Sequence, residues 1–330
     1  MKRGRWALAV LLAVLAVLLA LAFCSERMST GHEASSRRTS LRIVAFNTHL
    51  LPGIALQVAG HRGQAAYRAE AIGRRLADYD LAGLCEVFDA QRRDELIGGA
   101  ATAAPRAFTS LWFPKPRGRS LTNSGLLLLS RLPIEASHLL TYRDASRFIS
   151  HGFRADGFAA KGVLHARLRL GDAPGELLDC FLTHLESRSA PARKSQVEEL
   201  ARFIAAHASL ERPAVLMGDL NIAADYPLRP NKQTAASPYQ ELLAALESTG
   251  LEWIDVWPSL QSDAGGTNEP LDVRGGRRID YIFISAAQAS ARCSLRPTKV
   301  RVERFLDDKV KEGSLSDHAA VVCELEIQVR

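Results

Sequence analysis

The stretch A-V-L-M-G-D-L-N-I, residues Ala214–Ile222, decides the fold class and points to the chemistry. Four apolar residues follow Pro213 and run into Gly218, the pattern of a short buried strand. Asp219 and Asn221 stand two residues apart, and side chains so spaced leave a strand on the same face. The spacing predicts a carboxylate and a carboxamide projecting together from a strand end. A carboxylate accepts a proton or orients a water, while a carboxamide donates to an oxyanion without adding charge. The same residues also suit an Asx turn that merely closes the strand, because Gly-Asp and Asn are turn formers.

Working outward, the same habit recurs. Leu41–Asn47 (LRIVAFN) alternates as a strand and stops at Asn47-Thr48-His49. Leu81–Cys85 is a second short strand, ending at Glu86. Gly125–Ser130 is an apolar strand closed by Leu132-Pro133. Gly162–Leu170 and Leu177–Thr183 flank a Gly171–Gly175 turn as a hairpin, and the second arm ends at His184. Arg278–Ser285 carries Asp280, and Ala319–Val329 follows Asp317-His318. Helical spacing predicts helices over Gln64–Asp78, Ser189–Ser209 and Pro238–Glu247. In the second, Ser189 caps and Val197, Leu200, Ala201, Ile204 and Ala208 share one face. Strands outnumber helices, short turns join many of them, and helices are inserted between. That order predicts an α/β sandwich of layers rather than an all-β barrel.

The 330 residues are 47% apolar and carry a net charge of +6. Half of that charge is Lys2, Arg3 and Arg5, which leaves 39 basic against 36 acidic residues and a weak case for a nucleic-acid partner. After those cations, Trp6–Phe23 is an uncharged apolar run of 18 residues, followed by polar Ser25–Ser40. Three readings of residues 1–24 stand open: a signal peptide with Ala20-Leu21-Ala22 as cleavage site, a single membrane anchor, or a lipoprotein leader ending at Cys24. All place residues 41–330 outside the cytoplasm, whether periplasmic, secreted or anchored. Residues 25–40 read as a linker and 41–330 as one catalytic domain. Cys85 and Cys180 fall in buried strands as inert thiols, and Cys293 and Cys323 are placed to pair in an oxidising compartment. No C-x-x-C occurs, which argues against a thiolate zinc site.

Polar residues gathered at strand ends mark a site. Each alone has a plain explanation: Glu86 as a helix-cap acid, His184 as a satisfied core histidine. Together they suit metal-assisted hydrolysis of a phosphate ester. Mg²⁺ takes oxygen ligands from one or two carboxylates, and Glu86 is the natural centre, with the carbonyl oxygen of Asn47 beside it. A histidine of near-neutral pKa must then move a proton. His318 is the candidate, and Asp280 the carboxylate that fixes its tautomer.

With G-D-x-N at Gly218–Asn221 and S-D-H at Ser316–His318, the chain resembles the endonuclease/exonuclease/phosphatase superfamily from about Leu41 to Val329. Asn47, Glu86, Thr183-His184 and Ile279-Asp280-Tyr281 add to the resemblance. It implies a four-layered α/β sandwich, DNase I-like, with two packed, mostly antiparallel sheets flanked by helices. It also implies Mg²⁺, or another divalent cation such as Mn²⁺ or Co²⁺, held by Glu86 with Asn47 and Asp317. Asp219 then orients or deprotonates the attacking water, Asn221 and His184 contact the phosphate, and His318, supported by Asp280, is the acid–base. His318 is the preferred general base.

Within that superfamily, E-V-F-D at Glu86–Asp89, N-x-x-x-L-P at Asn47–Pro52 and the K-G element in Gly157–Val163 resemble neutral Mg²⁺-dependent sphingomyelinases. Lys161 reads equally as a phosphate-binding point charge and as a solvated strand-edge lysine. The implied substrate is a phospholipid headgroup ester, most of all sphingomyelin, cleaved to ceramide and phosphocholine at a membrane surface. No obligate protein partner is implied. Trp253 and Trp257 in the region matching the family's membrane hairpin are expected in the core, whereas Phe305 and Leu306 within Arg301–Lys311 offer either an interfacial tip or an amphipathic loop. An exported nuclease and a catalytically silent binding protein are the rival readings.

Overall fold

Along Leu41–Phe46 the side chains alternate between two apolar environments. Leu41, Ile43 and Ala45 enter one core, while Val44 and Phe46 enter another. A strand buried on both faces is an inner layer of a sandwich. The computed structural model describes residues 39–51, 64–103, 106–114, 122–145, 159–171, 173, 175–225, 236–268, 276–286, 288 and 290–329. The leader and nearly all of the linker fall outside them, as do Pro52 and Gly157-Phe158. Among the described residues, no helix is long and apolar enough to cross a membrane.

The first sheet holds β1 (Ser40–Leu50), β2 (Leu81–Val87), β3 (Thr109–Trp112), β4 (Leu127–Ser130), β11 (Cys293–Glu303) and β12 (Ala320–Val329), in the order β11-β12-β1-β2-β4-β3. The second holds β5 (Ile134–Thr141), β6 (Gly162–Arg169), β7 (Leu177–His184), β8 (Ala214–Asp219), β9 (Trp253–Asp255) and β10 (Asp280–Ser285), in the order β5-β6-β7-β8-β10-β9. In each sheet the central pair alone, β1–β2 and β7–β8, is parallel, and every other pairing is antiparallel.

The sheets pack face to face over a core in which Ile43, Ala45 and Leu81 meet Leu182, Val215, Met217 and Ile282. Helices α1 (Ala65–Leu76) and α2 (Ala90–Ala103) cover the first sheet through Ile72, Leu76 and Leu96. Helices α3 (Ala190–His207) and α4 (Pro238–Glu247) cover the second through Leu200, Ile204 and Leu242. A short α5 (Val256–Leu260) completes the set. The four layers are helix, sheet, sheet, helix, as the resemblance implies.

Local chemistry places the helix ends. Ser189 caps α3 by accepting from the Ala192 amide at 3.3 Å, with Pro191 in the first turn. Ser237 and Gln240 form a reciprocal capping box on α4. Gly99 lets α2 lie against α1, since a Cβ there would stand 2.3 Å from the Glu70 carbonyl oxygen.

Two expectations fail here. Cys293 and Cys323 are free thiols. Cys293 lies opposite Val329 and Cys323 opposite Val300, so the two thiols are six residues apart along β12, about 20 Å. A disulfide requires Cα atoms about 6 Å apart. The interfacial tip also loses its aromatic: Phe305 is buried against Phe46 with ring centroids 4.8 Å apart, and only Leu306 is exposed. Trp257 is core, as expected, and Trp253 is partly buried.

Candidate active site

The alternation that builds the inter-sheet core continues past it. In the second sheet, Leu182, Met217 and Ile282 face the core. Two residues further toward the same rim, His184, Asp219 and Asp280 take the same face. The register sets these three side by side, His184 opposite Asp219 and Asp219 opposite Asp280. In the first sheet the sequence Ile43, Ala45 leads by the same parity to Asn47. The Asn47 amide crosses between the sheets and donates to Asp219 Oδ2 at 2.9 Å. Gly218 makes the second row possible: at φ 138° it lies so close to β7 that a Cβ would meet the Thr183 carbonyl oxygen at 1.9 Å.

Burial of Asp219, then the neighbouring charge of Asp280, raises the Asp219 pKa above its ordinary 3.8. His184 Nε2 lies 3.4 Å from Asp219 Oδ2 and 2.8 Å from Lys161 Nζ. An ammonium only donates, so this contact makes Nε2 the acceptor and puts the ring proton on Nδ1. Lys161 is only 4% exposed, which removes the solvated strand-edge reading and places the lysine behind His184.

The other wall comes from the first sheet. Glu86 and His49 both adopt left-handed backbone, at φ 63° and 51°. Non-glycine residues take that conformation at a cost of order 1–3 kcal/mol, and it concentrates at functional sites. His49 Nδ1 stands 3.0 Å from Asp317 Oδ1 and 3.5 Å from Glu86 Oε2. Burial opposes a charge on His49, yet the two carboxylates push its pKa up to about 9. Burial likewise opposes ionisation of Glu86, but His49 brings it down to about 2. The same partner holds Asp317 well below the usual carboxylate range.

Fully buried Arg68 of α1 pins this wall. Its guanidinium donates to the carbonyls of Thr48 (3.1 Å), His49 (2.7 Å) and Leu315 (3.1 Å). Ser316 ties the following turn to β1 by donating to the Asn47 carbonyl at 2.7 Å.

His318 joins the two walls. Its Nδ1 is 2.8 Å from Asp280 Oδ2 and its Nε2 is 4.0 Å from Asp219 Oδ2. Burial disfavours the imidazolium, but Asp280, Asp219 and Asp317 outweigh it and raise the pKa well above 6.5. Asn268 lies 3.1 Å from Nε2. Its amide donates to the neutral ring and, turned over, accepts from the charged one.

The structure therefore brings Asn47, Glu86, Lys161, His184, Asp219, Asp280, Asp317 and His318 into one cleft. Asn221 sits at its edge by a different route from the one its spacing predicts. β8 ends at Asp219, and Asn221 lies beyond it at φ 50°, its backbone amide on Asp219 Oδ1 and its side chain donating to the Leu185 carbonyl at 3.0 Å. The Asx turn is real, and strand alternation does not apply. His49, Arg68 and Asn268 were not expected. His49 was legible in the T-H that follows Asn47, whereas Arg68 is hidden in a helix and Asn268 in a loop.

The donors suit a hard divalent ion. Glu86 Oε2 is buried and its approach to His49 Nδ1 is long at 3.5 Å, Asp317 faces the same space, and the raised pKa of His49 reports the negative potential there. Oxygen ligands of this kind match Mg²⁺ or Mn²⁺.

The Endonuclease/Exonuclease/phosphatase family model matches residues 46–318, which span the whole cleft. The chain belongs to that family. Among curated proteins, this family member is 22% identical over 285 residues to Sphingomyelinase C 2 of Leptospira interrogans. The match covers 78% of the chain and 41% of that relative, so the chain spans about two fifths of the relative's length. Two solved structures share the fold. One is beta toxin from Staphylococcus aureus, in a mutant form with bound magnesium ions, at 18% identity and TM-score 0.61, covering 86% of this chain and 99% of that one. The other is sphingomyelinase C from Streptomyces griseocarneus, at 20% identity and TM-score 0.58, covering 87% and 99%.

Proposed function

We propose that the protein is an exported, divalent-metal-dependent phosphodiesterase that releases the headgroup of a phospholipid, with sphingomyelin the leading substrate. The observation that carries the hydrolase reading is the single cleft in which His318 and the row His184–Asp219–Asp280 face Glu86 and Asp317. The lipid reading is supported by the sphingomyelinase relatives and by the E-V-F-D run at Glu86–Asp89. Export is supported by the cationic, apolar first 24 residues.

Glu86 and Asp317, with Asn47 beside them, would hold the ion, which supplies charge neutralisation at the phosphate and at the leaving oxygen. The remaining residues move protons. Three carboxylates keep His318 protonated, so it donates to the leaving alkoxide as the P–O bond breaks. This gives His318 the acid role in place of the base role that the sequence favours. Asp219, whose pKa is raised, orients the attacking water and takes its proton. At 4.0 Å from His318 Nε2, it can return that proton and reset the pair. His184 offers its ring proton to the non-bridging oxygens, with the positive charge of Lys161 behind it.

The test is to incubate the protein with Mg²⁺ and, separately, sphingomyelin, phosphatidylcholine, lysophospholipid and plasmid DNA. Phosphocholine release from sphingomyelin, abolished by EDTA and by His318→Ala, is expected. Nicking of DNA without phosphocholine release would establish the nuclease instead. No turnover of any of these would favour the silent binding protein.

A further inference from the structure

The opposite face of the second sheet carries a different cluster. His165 on β6 has the parity of Val163, so it points away from the inter-sheet core toward α3. It is completely buried and stacks on Phe181, with ring centroids 4.7 Å apart. His138, its direct cross-strand partner on edge strand β5, brings Nδ1 to 3.2 Å from His165 Nδ1. His207, the last residue of α3, stacks on His138 with centroids 4.2 Å apart. One nitrogen from each ring lies within 4.8 Å of the other two.

We infer that His138, His165 and His207 form a transition-metal site, for Zn²⁺ or a similar borderline-soft divalent ion, that clips the C-terminus of α3 to the β5–β6 edge. Nothing in the proposed hydrolysis uses these residues.

Two imidazoles whose Nδ1 atoms face each other at 3.2 Å either share a proton or share an ion. Two nitrogens bound to one tetrahedral Zn²⁺ at about 2.0–2.1 Å lie about 3.4 Å apart, so the observed spacing is already that of a coordination edge. The outer partner is also built. His165 Nε2 lies 2.9 Å from Asp179 Oδ1, and a carboxylate there fixes the tautomer that leaves Nδ1 as the ligand. Asp179 is fully buried. Its Oδ2 accepts from Arg212 Nε at 2.8 Å and its Oδ1 from Arg167 Nε at 3.2 Å. It therefore stays ionised and keeps accepting from His165 when a cation binds.

His207 is the third ligand: half-buried, and located where the negative end of the helix dipole attracts a cation. A set of three imidazoles selects Zn²⁺, Co²⁺, Ni²⁺ or Cu²⁺, whereas the oxygen-lined cleft selects Mg²⁺ or Mn²⁺.

The experiment is Co²⁺ titration of the intact protein in excess Mg²⁺, followed by visible absorption and metal stoichiometry. One Co²⁺ per chain with the ligand-field bands of a nitrogen-rich, low-coordinate site is expected, displaced by Zn²⁺. Exposed His138→Ala and half-buried His207→Gln should each weaken binding by more than the ~10–100-fold that loss of an outer partner costs. His184→Ala, in the cleft, should keep the bands. Zn²⁺ should raise the melting temperature of the wild type but not of His138→Ala, whose Mg²⁺-dependent hydrolysis is unchanged. Absence of the bands in folded wild type, or their persistence in His138→Ala and His207→Gln, would overturn the assignment. The result does not depend on whether the cleft cleaves a lipid, because it is read from metal content and spectra.

Discussion

The two sheets have the same plan and different chemistry. Each places one parallel pair at its centre, flanked on both sides by antiparallel strands. In each, the carboxyl ends of that pair and the amino-terminal approach to an antiparallel neighbour reach the same rim. The first sheet fills its rim with Asn47, His49, Glu86 and Asp317, a wall of oxygen donors and one imidazolium. The second fills its rim with His184, Asp219 and Asp280, a row of one imidazole and two carboxylates to which the proposed mechanism gives the proton transfers. Topology fixes where the polar residues gather, and the identity of a few rim residues is what leads the proposed mechanism to give the ion to one wall and the proton to the other.

The largest effect should come from removing the residue that joins the two walls. His318→Ala is expected to lower kcat by about 10²–10⁴-fold, the range for removal of a general acid, with divalent-ion affinity unchanged. A matching loss of Mn²⁺ binding would mean that the two walls are not separate.

Next is Arg68→Leu. Its guanidinium serves three backbone carbonyls in the interior, so the substitution leaves acceptors unpaired at about 1–3 kcal/mol each. Denaturant unfolding should show a loss of at least ~3 kcal/mol, together with weaker metal binding because the His49 backbone is released. Retention of full stability would show that the left-handed turn holds itself.

A smaller effect separates the walls by pH. The His49 pKa is raised to about 9 in the folded protein, against 6.5 unfolded. In EDTA its stabilising contribution is therefore complete below about pH 6.5 and is lost as pH rises through about 9. The melting temperature of metal-free wild type should fall over that window, and that of His49→Gln should fall less, the remaining fall coming from His318, whose pKa is also raised. A wild type insensitive to pH there would place the charge elsewhere.

The smallest expected effect is none at all. A reductant should leave the melting temperature unchanged, because the described cysteines are free and buried. A shift would restore the Cys293–Cys323 pairing.

The sequence was most legible where one physical rule acted alone. β7, β8 and β12 announce themselves as apolar runs, and α4 by its capping box and first-turn Pro238. The site residues were legible because alternation carries a core strand straight into its rim. Edge strand β5 was missed because its pattern is mostly exposed, and α2 because Gly98-Gly99 disguise it. Arg68 and Asn268 could not be found at all. Their roles are to hydrogen-bond backbone and a histidine brought near by tertiary folding, and neither spacing nor residue type records that. Asn221 lies at the edge of the cleft through a left-handed turn rather than through strand alternation.

Mn²⁺ affinity, measured side by side in Glu86→Gln and Asp219→Asn, tests the division between the walls most directly. Glu86→Gln should bind Mn²⁺ at least ~10-fold more weakly, and Asp219→Asn should bind it like wild type while failing to turn over substrate. Undiminished binding by Glu86→Gln, with loss in Asp219→Asn, would move the ion to Asp219, Asp280 and His318, whose ligand atoms also lie within 4.8 Å of one another, and would contradict the two-wall reading.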